Sequence, residues 1–176
     1  MDNLFHRVSV RQFKDQPVEE EKIKEMLHAG MQAPSAGNQR PWVFYVVTNK
    51  DTIQALSKVS KHSACAAGAP LIIALACRKE KLSFPEKIQQ DMALCAGNVW
   101  LEADNLGLGG VYLGVYPEEE RMTNTRAAID LTEEYDNFCL LAIGYPARPM
   151  RPQQNRFDET RIHYIKLSLI HISEPT

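Results

Sequence analysis

The chain has 176 residues, 44% of them hydrophobic and 24% charged, with 20 Lys+Arg against 22 Asp+Glu. One domain is the expectation at this length, and the composition excludes collagen-like, low-complexity and wholly disordered classes. A net charge of -2 argues against a non-specific nucleic-acid binder, which needs a basic excess to neutralise phosphates.

In chain order, Leu4 and Phe5 make a short apolar patch, and His6 to Phe13, running on to Pro17, reads as a loop. A helix is predicted from Val18. Pro17 stands at its start, Glu19, Glu20 and Glu21 fill the first turn where the macrodipole favours anions, and Ile23, Met26, Leu27 and Met31 form an apolar stripe. Ala33 to Pro41 is loop chemistry, rich in proline, glycine and asparagine. Trp42 to Thr48 is β-branched and aromatic, a strand expected to be buried on both faces. Asp51 is the expected N-cap of a short helix carrying Ile53, Leu56 and Val59. Residues 61–70 form an alanine-rich connection, and Leu71 to Cys77 is a second apolar strand.

Pro85 to Leu108 reads as a long helix, apolar almost all round between Met92 and Leu101 and so expected to run through the middle of the core. Gly109 to Tyr116 is a third strand, Pro117 to Ile129 another helix, and Phe138 to Tyr145 a fourth strand. After Ala147, prolines, glutamines and arginines mark an extended surface segment. Residues 167–172 alternate apolar and polar, yet Ser168 to Thr176 reads as translated adaptor sequence. One domain is therefore expected over 1–166, with a tail, 167–176, that is either a pairing strand or non-native. Met1 to Arg11 lacks the apolar centre of a secretory leader, and no apolar run reaches the ~18 residues of a membrane span, so a cytoplasmic protein is expected.

Chemistry-bearing residues are concentrated in loops. Arg7, Ser9 and Arg11 alternate along an extended stretch, which can place two guanidinium groups and a hydroxyl on one side to suit a phosphate monoester; the alternative is three solvated surface residues. The loop Pro34-Ser35-Ala36-Gly37-Asn38 lets a flat ligand approach the backbone, with Asn38 able to bond a polar ring edge. Gly107-Leu108-Gly109-Gly110 is not a dinucleotide fingerprint, because a helix precedes it and a strand follows; it is a helix cap and turn. Gly114, inside an apolar strand with Tyr112 and Leu113, implies close approach by a backbone or ligand. No hydrolytic motif is present, and the five histidines sit in unlike contexts. Cys65, Cys77, Cys95 and Cys139 show no metal-ligand spacing and read as buried thiols, with no metal site expected. Any reactivity is therefore expected to come from a cofactor.

These pieces resemble the FMN-dependent nitroreductase family in a short form. The matching residues are Arg7-Val8-Ser9-Val10-Arg11-Gln12-Phe13, Pro17-Val18, Ala33 through Trp42, Asn98 to Gly114, Ile143-Gly144-Tyr145-Pro146 and Arg156. The resemblance implies an α+β fold with a mixed, mainly antiparallel sheet wrapped by helices, assembled as an intertwined homodimer with FMN at the subunit interface. By position, Arg7, Ser9 and Arg11 would hold the phosphate and ribityl chain, Val8 would add backbone contacts, and Arg156 a second cationic grip. Pro34, Ser35, Ala36 and Asn38 would come from the other subunit, while Tyr112, Leu113 and Gly114 would back the ring. The implied activity is NAD(P)H oxidation by ping-pong hydride transfer through flavin N5 to a nitroaromatic, quinone or related acceptor, with no catalytic side chain. A flavin-binding store or sensor, or a phosphate-ligand module for another nucleotide, would use the same residues. Arg40 stands where the family commonly has glutamine, Gly97 replaces a larger polar residue, and the stretch from Arg78 to Pro85 is short.

Overall fold

Two apolar runs, β2 (Leu71–Arg78) and β4 (Tyr135–Gly144), pair antiparallel at the centre of a four-stranded sheet. The structure, a computed structural model, describes residues 3–150 and 153–165; the tail at 167–176 lies outside the described residues. In chain order the elements are α1 (Asn3–His6), α2 (Glu20–Met31), β1 (Trp42–Val47), α3 (Lys50–Leu56), β2, α4 (Ile88–Asn105), β3 (Gly109–Gly114), α5 (Glu119–Ile129) and β4. The strand order is β1-β2-β4-β3, with every neighbouring pair antiparallel. An isolated parallel bridge, Ser9 to Gly110, brings the N-terminal stretch against β3 and makes the pairing mixed. The α+β architecture inferred above is the one observed.

Strand period two sorts the core into two layers. Leu71, Ile73 and Leu75 of β2 and Leu141 and Ile143 of β4 face α2 and α4, where Met26, Met92, Cys95 and Val99 complete a cluster closed to solvent. Ile72, Ala74, Leu140 and Ala142 face the other way, onto Ile53 and Leu56 of α3 and the underside of α5. Each fully buried Leu or Ile contributes ~1.5–3 kcal/mol, so this double-faced sheet is where most of the stability lies.

Four expectations need correction. β1 is an edge strand, half-buried with Val46 42% exposed, because among the described residues only β2 lies beside it. The N-cap of α3 is Asn49, whose Oδ1 accepts from Thr52 N at 3.0 Å; Asp51 sits within the first turn. Of the glycines after α4, only Gly107, at φ +75°, is a cap, with Leu108 N bonded to Ala103 O at 2.9 Å; Gly109 and Gly110 belong to β3. The apolar circumference of α4 is covered on one side only: Met92, Cys95, Ala96 and Val99 are buried, whereas Ala93 is exposed and Leu94 is 49% exposed.

Burial also governs three thiols. Cys77 is pushed up to about 11 and Cys95 to about 12, and Cys139 is raised as well, in each case chiefly by loss of hydration. An unfolded thiol titrates near ~8.5, below the folded values, so the neutral-thiol advantage is complete below that pH and disappears as pH climbs through the folded values. Urea midpoints are expected to hold from pH 7 to 8.5 and to fall steadily above pH ~9, with Cys95→Ala flattening the fall.

Candidate functional site

The N-terminal stretch is held in place by backbone bonding to β3. Val10 N donates to Gly110 O at 2.9 Å, Lys14 N to Tyr145 O at 2.8 Å, and the Gly110 carbonyl also accepts from Trp100 Nε1 at 3.1 Å. So close an approach needs glycine in β3: a Cβ on Gly109 would lie 2.5 Å from Val10 Cγ2. Gly109→Ala is therefore expected to loosen residues 7–11. Trypsin cleavage after Arg7 and Arg11 should accelerate several-fold, and Val10→Ala in the same chain should restore protection.

This docking lays Arg7 across α4, with its guanidinium carbon 3.9 Å from the centre of the Trp100 ring. The Arg7 carbonyl accepts from Gln153 Nε2 at 3.1 Å, which ties the returning C-terminal segment to the same place. His6 is bonded through Nδ1 to the buried Asp104 carboxylate at 2.9 Å. The result is a cavity of about 730 Å³ lined by Arg7, Gly97, Trp100, Gln153 and Arg156, among others, with no carboxylate in its lining. The Arg7 guanidinium is lowered from its ordinary value, first by burial and then by repulsion from Arg156, with Asp104 opposing. Two cations converging in one acid-free cavity favour an anion between them.

Beside it, Tyr112 packs with its ring centre 6.4 Å from that of Trp100. Burial drives the Tyr112 hydroxyl strongly upward, so it stays protonated. β3 is the sheet's other edge, so beyond Gly110 its outer backbone groups have no strand beside them among the described residues. The Gly114 carbonyl is occupied by Arg121 Nη1 at 3.1 Å. Arg7, Ser9, Arg156 and Tyr112 thus stand around Trp100 and Gly110, whereas Leu113 packs into the opposite layer of the core and Gly114 lies at the far end of β3. Val8 is half-buried on the same stretch, and Arg11 is exposed, outside the cavity lining.

The second loop lies elsewhere. Ala36 N donates to Asp91 Oδ1 at 2.9 Å, and Gln39 Nε2 donates to Asp91 Oδ2 at 2.7 Å. Gln39 also clasps the backbone of Phe84, donating to its carbonyl and accepting from its N–H, each at 3.0 Å. Gly37 is doubly required: its φ is +54°, and a Cβ would lie 2.5 Å from the Phe84 ring. Asn38 and Arg40 also hold positive φ, 54° and 47°, and Arg40 N donates to Ser35 Oγ at 2.9 Å. Pro34 and Asn38 are exposed. Asp91 and Trp100 are nine residues apart on α4, ~14 Å along its axis, so within one copy the loop and the arginine cavity sit at separate stations of the same helix.

Sequence reading missed Trp100, Asp91, Gln39 and Gln153. The carboxylate of Asp91 at the edge of an apolar run was a usable signal; nothing local marked the other three. Among the described residues, no group of three or more His, Cys, Asp or Glu could hold a metal ion, and no helix is long and apolar enough to cross a membrane.

The Nitroreductase family model matches residues 4–70 and 58–145. A protein of Methanothermobacter thermautotrophicus with the name "Putative NADH dehydrogenase/NAD(P)H nitroreductase" is 36% identical over 94% of this chain and 86% of its own length. The crystal structure of a Clostridium acetobutylicum protein, titled "Putative NADH Oxidase", superposes with a TM-score of 0.90 at 43% identity, over 94% of this chain and all of that one. An FMN-dependent nitroreductase of Clostridium difficile superposes with a TM-score of 0.86 at 27% identity, over 94% of this chain and 98% of that one.

Proposed function

Because this chain belongs to the nitroreductase family, we propose that it is an FMN-dependent NAD(P)H oxidoreductase working as a homodimer, with each flavin bound between two copies. The observation that carries this reading is the cavity in which Arg7 and Arg156 converge with no carboxylate in the lining, Asp104 being the smallest of the influences on Arg7. A phosphate monoester supplies that missing charge, and the family resemblance and the FMN-dependent relative support FMN as its bearer. FMN held there would supply the redox chemistry, hydride acceptance from NADH or NADPH and electron delivery to a nitroaromatic, quinone or related acceptor.

The chain's own residues do the holding and positioning. Arg7 and Arg156 grip the phosphate, Ser9 and Arg11 bind along the phosphate and ribityl chain, and the Val8 backbone adds contacts. Tyr112, Leu113 and Gly114 back the ring along the open edge of β3. Pro34, Ser35, Ala36 and Asn38 reach the ring from the second copy, which supplies what the loop's station on α4 denies to the first. Two exposed apolar features support that second copy: Leu94 on the uncovered side of α4, and Phe5 and Phe157, 78% and 69% exposed, at the cavity rim. No side chain acts as nucleophile or acid; the protein contributes orientation and electrostatic placement.

The test is optical. Purified protein is expected to be yellow with oxidised-flavin absorption, and anaerobic NADH or NADPH should bleach it. A flavin that stays oxidised under both nicotinamides would replace the enzyme by a flavin store or sensor, and a colourless protein that ignores added FMN would end the reading altogether.

A further inference from the structure

A second polar cleft, of about 450 Å³, lies between the loop at residues 37–40 and the turn at 78–83. Its lining includes Arg40, Arg78 and Lys81, together with Asn38 and Ser83, and no carboxylate. Asp91 is buried behind the loop, with one oxygen committed to Ala36 and the other to Gln39, and does not line the cleft. Arg78 is fixed as the floor by donating to the Gln39 carbonyl, and its Nε is buried with no hydrogen-bond partner among the described residues. Arg40 and Lys81 form the exposed sides, both held at positive φ, 47° and 56°. Three cations brought together with no acid facing them repel one another and attract an anion.

We propose that this cleft binds the anionic group of the molecule that exchanges electrons with the flavin, the exposed Arg40 and Lys81 flanking it over the fixed Arg78. The proposal rests on the reading above, in which residues 34–38 flank the flavin of the partner copy; the cations then stand at the mouth where reductant and acceptor stack. They cannot serve the flavin phosphate of their own copy, which is assigned to Arg7 and Arg156 at the other station of α4. The anionic group has two sources with the same chemistry: the 2′-phosphate that distinguishes NADPH from NADH, and a carboxylate on the acceptor.

Steady-state kinetics on the flavin-loaded protein separates them. The kcat/KM ratios for NADPH over NADH, and for 4-nitrobenzoate over its neutral methyl ester, are measured in the natural chain and in the Arg40→Gln/Lys81→Ala variant. One of the two ratios is expected to fall about tenfold, mainly through KM, as expected for loss of surface charge pairs. The ratio that falls names the source. In the unaltered chain the same ratio should decline as NaCl is raised from 20 to 500 mM, a readout that needs no variant. Lys81→Glu should depress it further. Both ratios unchanged within twofold in a protein that retains its flavin and is bleached by NADH would overturn this inference alone. A protein without flavin would instead overturn the reading on which it rests.

Discussion

Replacing Arg7 and Arg156 together by alanine is expected to release FMN while leaving the fold standing. A charge-assisted contact is worth ~1.5–3 kcal/mol, so losing two weakens binding by ~3–6 kcal/mol, or about 10²- to 10⁴-fold in Kd. Stability should move little. Arg156 is exposed, and Arg7 sits partly desolvated and repelled by Arg156, so in the ligand-free chain the pair is electrostatically unfavourable. The loss of the Trp100 stacking contact opposes this gain by ~0.5–2 kcal/mol. The unfolding free energy from urea titration without added flavin should therefore stay within about 1 kcal/mol of the parent, whereas gel filtration should yield colourless protein. Stoichiometric yellow cofactor retained through the column would remove both arginines from the phosphate site.

Asp91→Ala should show the opposite balance. Asp91 is 3% exposed and is the shared acceptor for Ala36 N and Gln39 Nε2. Removing it strands one buried and one part-buried donor at ~1–3 kcal/mol each, for a total of ~2–6 kcal/mol of unfolding free energy, read as a lower denaturant midpoint at constant m. The loop that it braces carries Ser35 and Asn38, so flavin affinity is expected to weaken about tenfold in addition. Asp91→Asn keeps one acceptor and should lose roughly half the stability. If Asp91→Ala lowers stability as stated but leaves flavin affinity untouched, the loop has no part in the flavin site.

How far these features could be read from the sequence depended on whether their cause was local. The apolar stripe of α2, the apolar runs of β2 and β4 and the reversal of chain direction at Gly107 follow from neighbouring residues, and all four are found where periodicity puts them. Whether a β-branched run has one neighbour or two is not local, and β1 shows it: Trp42 to Val47 reads like a central strand yet lies at the sheet's edge. Asn49 and Asp51 are both good caps two positions apart, and only the backbone geometry at Asn49 decides between them. The all-round apolarity of α4 reads as a helix through the middle of the core, yet Leu94 is 49% exposed, because which sides of a helix are covered is decided by elements distant in sequence.

The site divides in the same way. Alternation in an extended chain makes Arg7, Ser9 and Arg11 read as a phosphate-binding pattern, yet of the three only Arg7 lines the cavity, and Arg11 is exposed outside it. The cavity itself depends on Trp100, a residue that looks like ordinary core filling until Arg7 is seen lying across it. The Asp91 to Gln39 contact spans 52 residues, and a glutamine beside a loop asparagine carries no sign of its burial.

The division of the flavin site between two copies can be tested by mixing them. Chains carrying Arg7→Ala/Arg156→Ala, with one affinity tag, are paired with chains carrying Asp91→Ala and a second tag, and the mixed dimers are isolated and titrated with FMN. If the arginines of one copy face the loop of the other, each mixed dimer contains a single site free of all three substitutions, and half of the normal flavin should bind with parental affinity. Mixed dimers showing only the weakened affinity of the Asp91→Ala parent would place arginines and loop in one copy and contradict the account.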